Sequence, residues 1–351
     1  MARGYKVATL AVIALAALQS SARAQNLAFS LFERYLEPLR VQAGIPGMSA
    51  AIVQDGQIVW EAGFGFADVE SNTRARPDTP YNVADLTETF TTLMLAQCAE
   101  RGLIQPEDPI RKWAPQAADP PATLRQVLSH TSGVTRVFRH DPARFVLLTH
   151  VVESCAGIAY KQALAQSILD RAAMTDAAPG REFVPAVADG PDPPFDAISF
   201  DKYSAVLQRL ATPYKLDKQR ARPIRSELPA PSVDAATGLI ASVRDLAKYD
   251  AALNIIVRPS TLEETWTNVV VNGATQPTTM GWFGQTYEGQ RLIWQFGIVP
   301  DAYSSLILKI PARRLTLILL ANSDGLTAPF ALQDGDVTTS LFARTFLRLF
   351  F

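Results

Sequence analysis

Asp85-Leu86-Thr87-Glu88 sets two carboxylates three residues apart at the head of a long apolar run. On a helix, positions i and i+3 share a face, so the pair could hold a cation or act as a glycosidase-like acid pair. No third ligand stands nearby in sequence. The plainer reading is an acidic capping box, with both carboxylates favoured by the positive end of the helix dipole. Of the three histidines, His130 lies in a Ser-His-Thr-Ser-Gly turn and reads as a hydrogen-bonded loop residue, and His150 reads as packing on an apolar helix. His140 stands between Arg139 and Asp141. Ser199-Phe200-Asp201-Lys202 has the spacing of a nucleophile and its amine base, but it follows a proline-rich stretch and is short enough to arise by chance. Cys98 and Cys155 both fall in apolar, helix-like segments. They read as buried thiols, with one disulfide open to them in an exported protein.

The elements that must position these groups can be read from periodicity. Phe29 to Leu39 patterns as an amphipathic helix with Phe32, Tyr35, Leu36 and Leu39 on one face, closed by Gly44-Ile45-Pro46-Gly47. Met48 to Val53 and Gln57 to Trp60 are strands joined through Gln54-Asp55-Gly56, a hairpin turn with glycine at positive φ. Helical spacing follows over Leu86 to Arg101, Leu124 to Leu128, Phe145 to Cys155 and Tyr160 to Arg171, with Gly102 and Gly157 at C-cap positions. Pro185 to Pro194 and Ala221 to Pro231 read as loops with little regular structure. Met280 to Phe283, Leu292 to Phe296, Ser304 to Leu308 and Leu315 to Leu320 alternate as antiparallel strands, and Thr338 to Leu349 returns to helical spacing. The predicted architecture is α/β (α+β): an antiparallel sheet completed by both ends of the chain and flanked by helices, with an all-helical subdomain beside it and a cleft between. Residues 25–80 and 235–351 make the α/β part, and 81–234 the helical insertion and its loops.

The 351 residues are 48% hydrophobic with a formal net charge of −1, enough apolar material for a sizeable core and no basic excess for nucleic acid. Arg3 and Lys6 precede an apolar run from Val7 to Leu18, and Ala22-Arg23-Ala24 offers the small residues of a signal-peptidase site. Residues 1–24 are therefore expected to be a leader cut between Ala24 and Gln25, which makes the protein periplasmic or secreted. The run falls short of the ~20 residues that span a bilayer, so no stable membrane anchor is expected. Losing Arg3, Lys6 and Arg23 takes the net charge from −1 to −4.

Several stretches together resemble the serine β-lactamase and penicillin-binding protein superfamily, in particular its class C and esterase-like branch. They are Ile45-Pro46-Gly47-Met48 with its hairpin, Gly63-Phe64-Gly65-Phe66-Ala67-Asp68, Gln126 to Gly133, Gly238 to Tyr249 and Leu315 to Gly325. The resemblance implies a β-lactamase/transpeptidase-like fold with a Ser-x-x-Lys tetrad at the start of the first large helix. Tyr81 to Ala84 before it and Phe90 to Leu95 after it place that tetrad on Asp85-Leu86-Thr87-Glu88. The second motif, Tyr-x-Asn or Ser-x-Asn, falls on His140-Asp141-Pro142, and the third, Lys-Thr-Gly or His-x-Gly, on Gln295-Phe296-Gly297. None of the four tripeptides occurs anywhere in the chain. Acyl transfer needs a hydroxyl and an adjacent base, which Asp85 and Glu88 do not supply. Losing such a nucleophile typically costs about 10⁶ in rate, roughly 8 kcal/mol of barrier.

Asp85, Glu88, His140, Asp141, Gln295, Phe296 and Gly297 are thus vestigial cleft positions, with no catalytic residue, cofactor or metal expected. Arg139 or His140 is expected to neutralise the acidic pair and hold the cleft shut. The function expected is a pseudoenzyme with a binding or regulatory role in the cell envelope, its partner an unidentified small ligand or envelope protein. The alternatives are an active serine hydrolase (β-lactamase, D-amino peptidase or esterase) with a non-standard nucleophile, Ser199 and Lys202 first among suspects, and a structural or assembly factor. With Glu88 in place of lysine and Gln295 in place of a basic residue, the cleft should no longer favour a carboxylate ligand.

Overall fold

A computed structural model describes residues 26–116, 121–182, 195–217, 222–227 and 233–351. The leader, the whole stretch Pro185 to Pro194, and Ala221 with residues 228–231 of the second proline-rich stretch lie outside the described residues. Helix α1 covers residues 26–42 and leads into the hairpin β1 (Gly47–Gln54) and β2 (Gln57–Asp68), then the short strands β3 (Thr73–Arg74) and β4 (Tyr81–Asn82). A single 3-10 turn, Ala84–Leu86, opens α2 (Thr87–Glu100). The helical block continues through α3 (Leu124–Leu128), α4 (Pro142–Phe145), α5 (Leu148–Ala156), α6 (Tyr160–Leu164) with a π-turn over Ala165–Leu169, and α7 (Ala197–Leu207). After the hairpin β5 (Tyr214–Asp217) and β6 (Arg222–Arg225) come β7 (Ile240–Ala241), α8 (Val243–Ile256), α9 (Pro259–Thr265) and the pair β8 (Val270–Val271) and β9 (Ala274–Thr275). Strands β10 (Phe283–Tyr287), β11 (Gln290–Val299), β12 (Tyr303–Ile310) and β13 (Leu315–Ala321) precede the terminal helix α10 (Leu341–Phe350).

The main sheet runs β10-β11-β12-β13-β1-β2-β3, all antiparallel. Its centre is the β13–β1 pair, with Met48 opposite Ala321 and Gln54 opposite Leu315, so the two ends of the chain close one sheet. Both faces are covered, which is why β12 and β13 are buried along their whole length rather than alternating with polar residues. Met48, Ala50 and Ile52 face one core with α1 and α10, where Phe32 meets Phe346 at 5.9 Å. Ala51, Val53, Ile307 and Ile318 face the other, which runs into α8 and the helical block.

The sheet with its flanking helices is the β-lactamase/transpeptidase-like architecture anticipated from the sequence. The hairpin turn forms as read, with Asp55 and Gly56 both at positive φ, and Gly157 ends α5 in the left-handed region. Four readings need correction. Tyr35 is 54% exposed while Phe32 and Leu36 are fully buried, so it sits on the rim of the α1 face. Arg222–Arg225, read as loop, pairs with β5 as a strand that has no buried side, a pattern invisible to periodicity. The strand read at Met280 to Phe283 begins only at Phe283, because Gly281 takes φ 69° and turns the chain there. Cys98 and Cys155 are bonded to each other, joining α2 to α5 across a sequence separation of 57 residues, rather than remaining thiols.

Candidate functional site

The acidic pair lies where α2 begins against strand β11. Two local features force the approach. Gly297 faces the turn before α2, and a Cβ there would stand 2.5 Å from the Val83 carbonyl oxygen, 2.6 Å from Ser305 Oγ and 2.7 Å from the Asp85 nitrogen. Ala84 adopts φ 52°, a left-handed conformation that costs a residue with a Cβ roughly 1–2 kcal/mol. Asn82 Oδ1 accepts from its amide at 2.8 Å, Thr87 Oγ1 donates to its carbonyl at 2.7 Å and Ser305 Oγ donates to the Val83 carbonyl at 2.7 Å. Strain held by so many bonds persists only because the surroundings over-determine it.

Asp85 and Glu88 are not a capping box. Leu86 is the residue that caps α2, no side chain caps it, and both carboxylates turn inward. Asp85 Oδ2 accepts the Ile298 amide of β11 at 3.3 Å. Glu88, with no exposed surface, accepts at Oε2 from Gln295 Nε2 at 3.0 Å and from His130 Nε2 at 3.2 Å. The Asp141 amide donates to His130 Nδ1 at 3.2 Å, which leaves Nε2 as the protonated ring nitrogen facing Glu88. Burial raises both carboxyls well above their usual range. For Asp85 the charge of Glu88 adds to this, against the Ile298 bond; for Glu88 the Gln295 bond opposes it, and Asp234 adds negative field to both. Burial lowers His130 to about 4 and His140 to about 3, so both imidazoles are neutral at pH 7.

The expected neutralising ion pair is therefore absent in that form. Arg139 points outward, its side chain 81% exposed and bonded to Asp141, and the histidine that bonds Glu88 is His130 rather than His140. His140 does reach the site from the other side. Its ring lies 4.8 Å from that of His130 and packs on Phe296 at 5.0 Å and Phe283 at 5.7 Å, while Phe138 meets Phe283 at 5.6 Å. An aromatic layer from the loop before α4 thus covers the acidic pair, with Phe296 and Gln295 nearly inaccessible beneath it. Two buried polar atoms here have no protein partner, Glu88 Oε1 and His140 Nε2.

Ligand atoms that the sequence does not place beside the acidic pair are brought to Glu88 from elsewhere in the chain. Glu88, His130 and His140 each present a ligand atom, all within 4.8 Å of one another. Sequence reasoning missed His130 and Asp234 as site residues. The only available signal was that two of the chain's three histidines stand ten residues apart around a turn, so that one loop could return both to the same place. His150, read as packing, is an exposed surface residue beside Glu153 at 3.3 Å. Ser199 and Lys202 are not assembled as nucleophile and base. The Ser199 amide is capped by Asp196 at 2.8 Å, and Lys202 Nζ donates to Asp170 at 3.2 Å.

The chain belongs to the β-lactamase family, whose model matches residues 32–337. Among particular relatives, it is 32% identical over 96 residues to Protein flp of Staphylococcus aureus (strain NCTC 8325 / PS 47), a match covering 26% of this chain and 19% of that protein. The chain thus aligns to about a fifth of the length of the curated relatives it matches. The octameric penicillin-binding protein homologue from Pyrococcus abyssi superposes with a TM-score of 0.72 at 21% identity, over 91% of this chain and 77% of that one. The D-amino acid amidase from Ochrobactrum anthropi SV3 superposes with a TM-score of 0.66 at 18% identity, over 85% and 92% respectively. At these identities the superpositions show the shared fold.

Proposed function

We propose that this protein is a non-acylating member of its family, a pseudoenzyme that serves a binding or regulatory role in the cell envelope. One observation carries the reading. At the head of α2, where the family resemblance places serine and lysine, stand two buried carboxyls, and Glu88 is fastened to Gln295 and His130 beneath an aromatic layer. A carboxyl nucleophile would yield a mixed anhydride, and Glu88 has negative or neutral character where a base or positive charge is needed. The leader at residues 1–24, cleaved between Ala24 and Gln25, would export the chain to the periplasm or medium. A disulfide between Cys98 and Cys155 supports an oxidising compartment.

The test treats purified protein with a fluorescent penicillin and a fluorophosphonate, alongside a chromogenic cephalosporin, and maps adducts by mass spectrometry. No adduct and no turnover are expected. A labelled serine, at Ser199 or elsewhere, would overturn the reading and identify a relocated active site.

A further inference from the structure

We propose that Glu88, His130 and His140 form a binding site for a divalent transition-metal ion of the zinc class. Two imidazoles and a carboxylate are a ligand set that suits zinc, cobalt or nickel, whereas calcium and magnesium require oxygen ligands throughout. The three come from separate segments, the first turn of α2, the turn after α3 and the loop before α4, and converge with their ligand atoms within 4.8 Å of one another. Bonds of 2.0–2.1 Å in tetrahedral geometry put ligand atoms roughly 3.3 Å apart. His130 Nε2 already stands 3.2 Å from the Glu88 carboxylate, at Oε2, so the remaining closure is to bring the unpartnered Oε1 and the His140 ring onto the same ion.

Two independent observations point to a ligand between them. Glu88 Oε1 and His140 Nε2 are buried and have no protein partner, although a buried polar atom left unpaired is costly. Gln295 Nε2 meanwhile holds the other carboxylate oxygen at 3.0 Å, the kind of outer contact that orients a ligating carboxylate. One rearrangement is required. A metal on His130 Nε2 places the ring proton on Nδ1, which must then give up the Asp141 amide now donating to it at 3.2 Å. The charge of Asp141 already acts on this ring, so a shift of that residue could replace an amide donor by a carboxylate acceptor, the usual partner of a metal-bound imidazole. Binding would pin the loop across the cleft to α2.

This inference rests on the reading of the cleft as non-acylating, but the two fail separately: a serine adduct sinks that reading alone, and absence of metal binding sinks this one alone. Chelator-treated full-length protein is titrated with Co²⁺, read by visible absorption, and with Zn²⁺, read by equilibrium dialysis and elemental analysis. One equivalent per chain is expected, with affinity reduced at least about 100-fold in Glu88→Gln and in His140→Gln, and unchanged in the surface control His150→Gln. Near-UV circular dichroism checks that the variants fold. As a measurement needing no variant, Zn²⁺ should shift the imidazole NMR resonances of His130 and His140 but not those of His150. Sub-stoichiometric binding, binding retained by both site variants, loss in His150→Gln, or no selective shift would each overturn the proposal and leave a bridging water or shared proton as the occupant.

Discussion

Removing the Cys98–Cys155 bridge tests how the helical block is held together. The cross-link closes a loop of 57 residues in the unfolded chain. The loop-closure relation then gives an entropy restriction of about 14 cal/mol/K, or about 4 kcal/mol at 25 °C. For a chain of this size the entropy of unfolding is roughly 0.7 kcal/mol/K near the midpoint, so 4 kcal/mol corresponds to a fall in Tm of roughly 6 °C. The double variant Cys98→Ala/Cys155→Ala also loses two sulfurs, one buried in the core between α2 and α5 and one in contact with Arg101 Nη2 at 3.2 Å. Its total loss is therefore expected at or slightly above the entropic figure. The assay is urea unfolding of oxidised, dithiothreitol-reduced and double-variant protein, followed by far-UV and near-UV circular dichroism to establish whether one transition describes the whole chain. A loss below 1 kcal/mol, with the oxidised bridge verified by mass spectrometry, would refute the argument that this bond restricts the unfolded ensemble.

Four substitutions test the frame around α2 and the sheet. Ala84→Gly relieves a left-handed residue and should raise stability by about 0.5–1 kcal/mol after the added chain entropy is subtracted, measured by urea midpoint; a decrease would mean the conformation carries no strain. Gly297→Ala inserts a methyl 2.5 Å from the Val83 oxygen and should cost about 2–3 kcal/mol on the same assay, with an unchanged midpoint counting against the close approach. Asp250→Ala leaves Lys309, whose side chain is 8% exposed, without its ion-pair partner on the α8 side of the sheet and should cost about 3–5 kcal/mol. Adding Lys309→Met should recover most of that loss, and a double variant no more stable than the single one would show that burial of the charge is not the cause.

Local signals carried much of the fold. The Asp55-Gly56 turn, the capped helices and the apolar strands near the C-terminus are short-range patterns, and each formed close to its expected place. The expected alignment of Asp85 and Gln295 with the family motifs rested on the residues that flank them. What those side chains do there was not legible. A pair of acids ahead of an apolar helix has the same sequence whether it caps the helix or turns into a cleft, and the choice is made by Gln295 and His130, 207 and 42 residues away from Glu88. The bridge between Cys98 and Cys155 depends likewise on how α2 packs on α5, and no spacing rule relates them. The exposed β5–β6 hairpin lacked the alternation that marks a strand, since neither face of β6 is buried.

The central pairing of β1 with β13 has a consequence for how the chain is made. Residues 47–54 must wait for residues 315–321 before the middle of the sheet can close, so everything between the two strands has to be synthesised first. Until then β1 has only its local hairpin partner β2 and an unpaired edge. Contacts so distant in sequence make for slow folding. A truncation ahead of residue 315 would leave that edge permanently open to strands of other chains.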